Sequence, residues 1–146
     1  MRILPVALVL TLISATAVLA QNTAVIKERQ DHLEAMGKAA KEPGKMFKGE
    51  EDFDLDKVKA ALARFQEKGA LLPRLFPDDS KTGEDTEALP AIWENKADFE
   101  GRYPKLVEAA KAAATAITDE VTFQDEWPKV MDNCKECHKK YRKQQK

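Results

Sequence analysis

The sequence predicts an all-α fold, an antiparallel four-helix bundle, and three observations carry that expectation. Apolar residues recur every seven positions between Ile92 and Ile117, the spacing of helices that pack with a left-handed twist. No stretch of useful length alternates apolar and polar residues as a half-buried strand would. Proline, glycine and acidic clusters divide the 146 residues into segments of helical length. One modest domain is all that such a chain supports. With 34% charged and 43% hydrophobic residues it reads as globular, and 24 basic against 25 acidic residues argue against a nucleic-acid binder. The common glycine-rich nucleotide cradles are missing, and two histidines exclude a three-histidine zinc site.

Residues 1–20 read as a leader. Arg2 precedes an apolar run from Ile3 to Ile13, which gives way to the small residues Ala15, Ala17 and Ala20. That is the pattern of a cleaved secretory signal peptide. The run is short for a membrane span of about 20 residues, and no later segment is apolar enough to cross a bilayer. Cleavage after Ala20 would leave residues 21–146, at a net charge of −2 once Arg2 is gone. The expected location is the periplasm.

The first helix is expected from about Asn22 to Lys41, ended by Pro43 and Gly44. Ile26, Arg29, Gln30, Leu33, Met36, Gly37 and Ala40 share one side of it. An Arg and a Gln in an inner stripe need polar partners. Gly49 to Asp54 reads as a solvated acidic linker. Asp54 then caps a second helix, with Leu55, Val58, Leu62 and Phe65 on one face and a stop near Gly69. In the long connection to Glu87, Leu72, Leu75 and Phe76 are expected to dip into the core while the acidic part stays wet. The third helix opens at Leu89-Pro90. Ile92, Phe99, Leu106 and Ala113 form one seven-residue series and Tyr103, Ala110 and Ile117 another, with Pro104 expected to kink or interrupt the helix. The fourth runs from around Thr122 to Arg142, carrying Phe123, Trp127, Val130, Met131, Cys134, His138 and Tyr141 along one side. Pro128 blurs its start.

One motif carries chemistry: Cys134-Lys135-Glu136-Cys137-His138. C-x-x-C-H is the attachment signature of a c-type haem. Two thiols three residues apart on a helix can each form a thioether to a haem vinyl group. His138, about 40° from Cys134 on the helical wheel, then offers the iron a nitrogen ligand. One covalently bound haem c also gives Arg29 and Gln30 acidic propionates to face. A structural zinc site would need a fourth ligand from His32 or a carboxylate. A thioredoxin-like pair wants a βαβ setting, and a plain disulfide leaves the adjacent His without a role. A haem-free periplasmic thiol-disulfide protein using Cys134 and Cys137 stands as the alternative.

The residues resemble the class II cytochromes c, the cytochrome c′ family, over nearly all of residues 21–146. The resemblance rests on Arg29-Gln30-x-x-Leu33-x-x-Met36-Gly37, on Ala91-Ile92-Trp93, and on Cys134-x-x-Cys137-His138-x-x-Tyr141-Arg142. It implies that Cys134 and Cys137 attach the haem and that His138 is the axial ligand. It implies that Arg29 and Gln30 contact the propionates, and it sets Arg142 near the proximal face. Arg142 reads equally as part of a basic helix end favoured by the helix dipole. Low-spin members are expected to carry Met at the position of Leu33, so Leu33 implies a five-coordinate, high-spin iron with an apolar distal side. Met36 reads as core filler or haem-edge packing, and His32 as a rim residue. The family resemblance implies electron transfer, with binding of small diatomic gases such as nitric oxide and carbon monoxide at the open iron. No catalytic residue is expected. A homodimer through the first two helices and acidic redox partners docking on the basic end complete the expectation.

Overall fold

The computed structural model describes residues 14–144, with side chains from residue 23 onward. Of the expected leader, residues 1–13 lie outside the described residues. Helix α1 spans Ser14–Phe47, α2 Leu55–Leu71, α3 Ala91–Glu94, α4 Lys96–Ala116 and α5 Glu120–Tyr141. The four long helices α1, α2, α4 and α5 form the bundle. Each packs mainly on its neighbour in sequence, whereas α1 and α5 barely touch. That uneven closure is what makes room for a site.

The seven-residue series is the inner face of α3 and α4. Ile92, Phe99, Tyr103, Leu106, Ala110, Ala113 and Ile117 are all buried. They meet Val58, Leu62 and Phe65 of α2 and Phe123, Trp127 and Val130 of α5. The ring of Phe123 stands 5.6 Å from that of Trp127, and Trp127 5.9 Å from Phe65, so aromatic stacking closes this half of the bundle. Asp54 accepts from the Lys57 amide at the start of α2, as its cap position requires. Asp119 and Thr122 form a reciprocal capping box that starts α5 at Glu120, two residues before the expected Thr122.

Pro43 behaves differently from the expectation. Pro43 does not end α1, which continues to Phe47. The ring of Pro43 is itself fully buried and Met46 beyond it is 3% exposed, so core packing outweighs the lost backbone bond. Pro104 and Pro128 likewise lie inside helices that continue past them. The third segment breaks instead at Asn95, whose backbone leaves the helical region (φ −126°, ψ 44°). The acidic linker is not simply solvated either. Its Phe53 packs on Phe123, with centroids 5.4 Å apart.

Leu72, Leu75 and Phe76 dip into the core as expected. The acidic stretch after them is less wet than its composition suggests, because Ser80 and Thr86 are buried. Past α5 the chain pairs back onto this connection. Leu89 donates to the Tyr141 carbonyl at 3.0 Å, and the Lys143 amide to the Glu87 carbonyl at 2.8 Å.

Candidate haem-binding site

Where α1 and α5 stay apart, a cavity of about 640 Å³ opens between them, floored by α4. Its wall includes every residue the sequence nominated: Arg29, Gln30, Leu33 and Met36 from α1, and Cys134, Cys137, His138 and Arg142 from α5 and its end. Phe65, Phe76, Ile92, Phe99, Tyr103 and Leu106 supply an apolar lining. A mostly apolar cleft of this size with a few convergent polar groups is what a cofactor site needs. His32 is not among the lining residues. It sits 3.8 Å from Glu28 one helical turn away.

The α5 motif presents its three groups on one helix face because positions 134, 137 and 138 fall within one turn. Both cysteines are free thiols and half-buried. Burial, then the neighbouring Cys137, pushes the Cys134 thiol up to about 11. Burial also raises the Cys137 thiol, against the opposing cation of Arg102. Reactive redox thiols need the opposite, a lowered pKa, so the site is poorly suited to thiol-disulfide exchange. Burial, then the Arg142 cation, lowers the His138 pKa. A neutral imidazole is the form that ligates a metal. Among the described residues no three His, Cys, Asp or Glu side chains converge to hold an ion, so a zinc site lacks its ligand set.

On α1, Leu33 is 37% exposed, an unusual state for a leucine on an inward stripe. Gly37, one turn on, also lines the cavity, and a Cβ added there would meet nothing within 4 Å. Met36 is buried in the core cluster. Gln30 donates to the Glu84 carbonyl at 2.7 Å. Arg29 spends its donors on Leu75, Ser80 and Thr86 of the connection, partners that lie 46 to 57 residues away and have no local sequence signal. Sequence reasoning missed Ser80 and Thr86 for that reason. Arg142 Nε is buried without a hydrogen bond, and Glu87 Oε2 stands 3.8 Å from it, beyond hydrogen-bond reach.

A second polar group that the sequence did not flag braces α4 against α5. Asp98 accepts from Arg102 Nε at 3.0 Å, from Lys140 Nζ at 3.1 Å and from the Tyr141 hydroxyl. The Tyr141 hydrogen bond, then those of Lys140 and Arg102, hold its carboxyl far below the usual range. Tyr141 and Arg102 both line the cavity, so this cluster fixes part of its wall.

These residues fit a flat, largely apolar group with acidic edges. The two thiols and the imidazole are the donor set of a covalent haem, Gly37 and Leu33 leave space on α1, and the orphan Arg142 Nε is a buried donor awaiting an acceptor. The fold and site define a class, the four-helix c-type haem proteins. Comparison with known proteins narrows it. The family model described as Cytochrome C′ matches residues 24–142. Cytochrome c′ of Rhodopseudomonas palustris is 46% identical over 120 residues, 82% of each chain. Its solved structure superposes with a TM-score of 0.82 at 44% identity, covering 84% of this chain and 98% of that one. Cytochrome c-556 of Agrobacterium fabrum is 31% identical over 118 residues, 80% of each chain. The chain belongs to the cytochrome c′ family, and its cofactor is haem c. No helix among the described residues is long and apolar enough to cross a membrane.

Proposed function

We propose that the chain is a periplasmic electron carrier and not an enzyme, exported by a leader at residues 1–20, and that it also admits small diatomic gases at its iron. In this reading the bundle is residues 21–146. Cys134 and Cys137 hold the haem as thioethers and His138 supplies the single protein ligand to iron. Bound there, haem supplies one-electron chemistry and an iron position open to a gas.

The observation that carries the reading is Leu33. It lies in the cavity wall on α1, half-exposed, with no donor atom to offer, while His32 lies outside that wall. The one other α1 candidate, Met36, is buried in the core cluster. An aliphatic side chain on the distal side leaves room for a diatomic molecule and disfavours larger or more polar ones. Arg29, Gln30 and Arg142 would face the acidic edge of the ring, with Arg142 Nε supplying a donor. The same reading includes a homodimer through α1 and α2, and docking of an acidic redox partner on Lys139, Lys140, Arg142 and Lys143 by electrostatic steering.

The test is the visible absorption of the ferrous protein, expressed as the full precursor with a haem-attachment system. A broad high-spin spectrum that shifts on adding carbon monoxide is expected. A sharp low-spin α band would mean a sixth protein ligand and would overturn the open-iron part. A colourless protein would overturn haem attachment.

A further inference from the structure

The proposed iron ligand sits in the last turn of its helix. His138 is the fourth residue from the end of α5, which stops at Tyr141. The last four carbonyls of a helix have no partner within it, so this turn frays more readily than the rest. A metal ligand placed there is held no better than the turn that carries it. Backbone amides meet two of the four carbonyls. That of His138 takes the Arg142 amide at 3.1 Å, and that of Tyr141 takes the Leu89 amide at 3.0 Å. Side chains add a second hold.

That hold converges on one oxygen of α4. Asp98 Oδ2 accepts from the Tyr141 hydroxyl, from Lys140 Nζ at 3.1 Å and from Arg102 Nε at 3.0 Å. Lys140 and Tyr141 belong to the turn that bears His138, so two of these bonds reach across from α4 to that turn. Tyr141 is 2% exposed, and a buried hydroxyl that loses its acceptor is costly. Its ring meets Phe99 edge-on with centroids 5.1 Å apart, a contact that does not use the hydroxyl. Arg102 lies one turn from Asp98 on α4, and its guanidinium carbon stands 5.3 Å from the centre of the Tyr141 ring. The carboxylate is thus fixed by its own helix while it holds the other. The same hydrogen bonds, that of Tyr141 first, keep it ionised, which makes the bond to Tyr141 charge-assisted.

We infer that Asp98 is a positioning residue for His138: by anchoring Tyr141 and Lys140 it keeps the final turn of α5 from fraying, and so fixes the imidazole in the cavity wall. The inference rests on the reading of His138 as the iron ligand. Asp98 acts through the turn and not on the iron. It is an exposed residue, and the packing of the Tyr141 ring on Phe99 persists without it. Order in the last turn and stability of the whole bundle are therefore separable here.

Two measurements on the haem-loaded protein test it. Hydrogen exchange of the C-terminal peptide reads fraying of the last turn, and resonance Raman scattering of the ferrous form reads the iron–histidine stretch. Asp98→Ala and Tyr141→Phe should each speed exchange in that peptide about tenfold, the size expected for losing a hydrogen bond to a charged group, and should broaden the stretching band. Tyr141→Phe added to Asp98→Ala should do no more, because the bond is already gone. Asp98→Glu keeps an acceptor and should bring both readings back toward wild type. Unchanged exchange overturns the inference. Faster exchange with an unaltered band overturns it too, because the turn then moves without the ligand. So does faster exchange along all of α5 with a lower melting temperature, since Asp98 is then a general brace. If Asp98→Ala does not fold, Tyr141→Phe, which keeps the ring, decides by the same criteria. A wild-type protein without covalent haem would defeat the underlying reading instead, and that is visible before any variant is made.

Discussion

Two glycines in bundle helices mark two differently built regions. On the α2–α4 seam, a Cβ on buried Gly69 would come within 3.0 Å of Val107 Cγ2. On the cavity side, a Cβ on Gly37 would meet nothing. The first is absent a side chain because two helices approach too closely to hold one. The second is absent a side chain where the helices stand apart. The bundle therefore closes on its own side chains along α2, α4 and the first half of α5, and keeps space open between α1 and the second half of α5. The closed region carries the stability and the open region carries the site.

Four changes sharpen or break that contrast. Phe123→Ala removes a fully buried ring from the closed region and should cost about 3–5 kcal/mol, measured by urea unfolding. A loss below about 1 kcal/mol would mean that this half does not carry the fold. The glycine pair should then respond with opposite signs. Gly69→Ala should lower stability by about 1 kcal/mol, because Val107 is stiff at χ1 and yields poorly. Gly37→Ala should raise the stability of the haem-free chain by about 0.5–1 kcal/mol through helix propensity. That gain should vanish once haem is attached, if the ring edge occupies the space; thermal melts of both forms check it. The smallest effect is expected at exposed Asp98. Its folded pKa lies below the unfolded value of about 4, so its contribution is present above that pH and is lost as the pH falls further. Asp98→Asn should flatten this acid limb of the melting temperature and change the value at pH 7 least of the four.

Much of the helix pattern was readable because it depends on repetition. All seven residues of the 92–117 series are buried, and Cys134, Cys137 and His138 share a face because three and four residues make one turn. The cavity wall contains all eight nominated site residues. Proline was misleading. Its local preference to stop a helix is worth a few kcal/mol, and at Pro43 burial of the ring and of Met46 exceeds it. Asn95, with no such reputation, is where the third segment breaks.

The sequence by itself determined the helical class, the inner face of each long helix and the position of the attachment motif, since each follows from spacing along one chain. Tertiary structure alone decided that Ser80 and Thr86 meet Arg29, that Asp98 joins α4 to Lys140 and Tyr141 of α5, and that α1 and α5 stay far enough apart to leave a cavity. Those outcomes depend on which distant side chains arrive together, and a buried polar group accepts any partner of suitable geometry. Neighbouring residues carry no record of that choice, so only packing settles it.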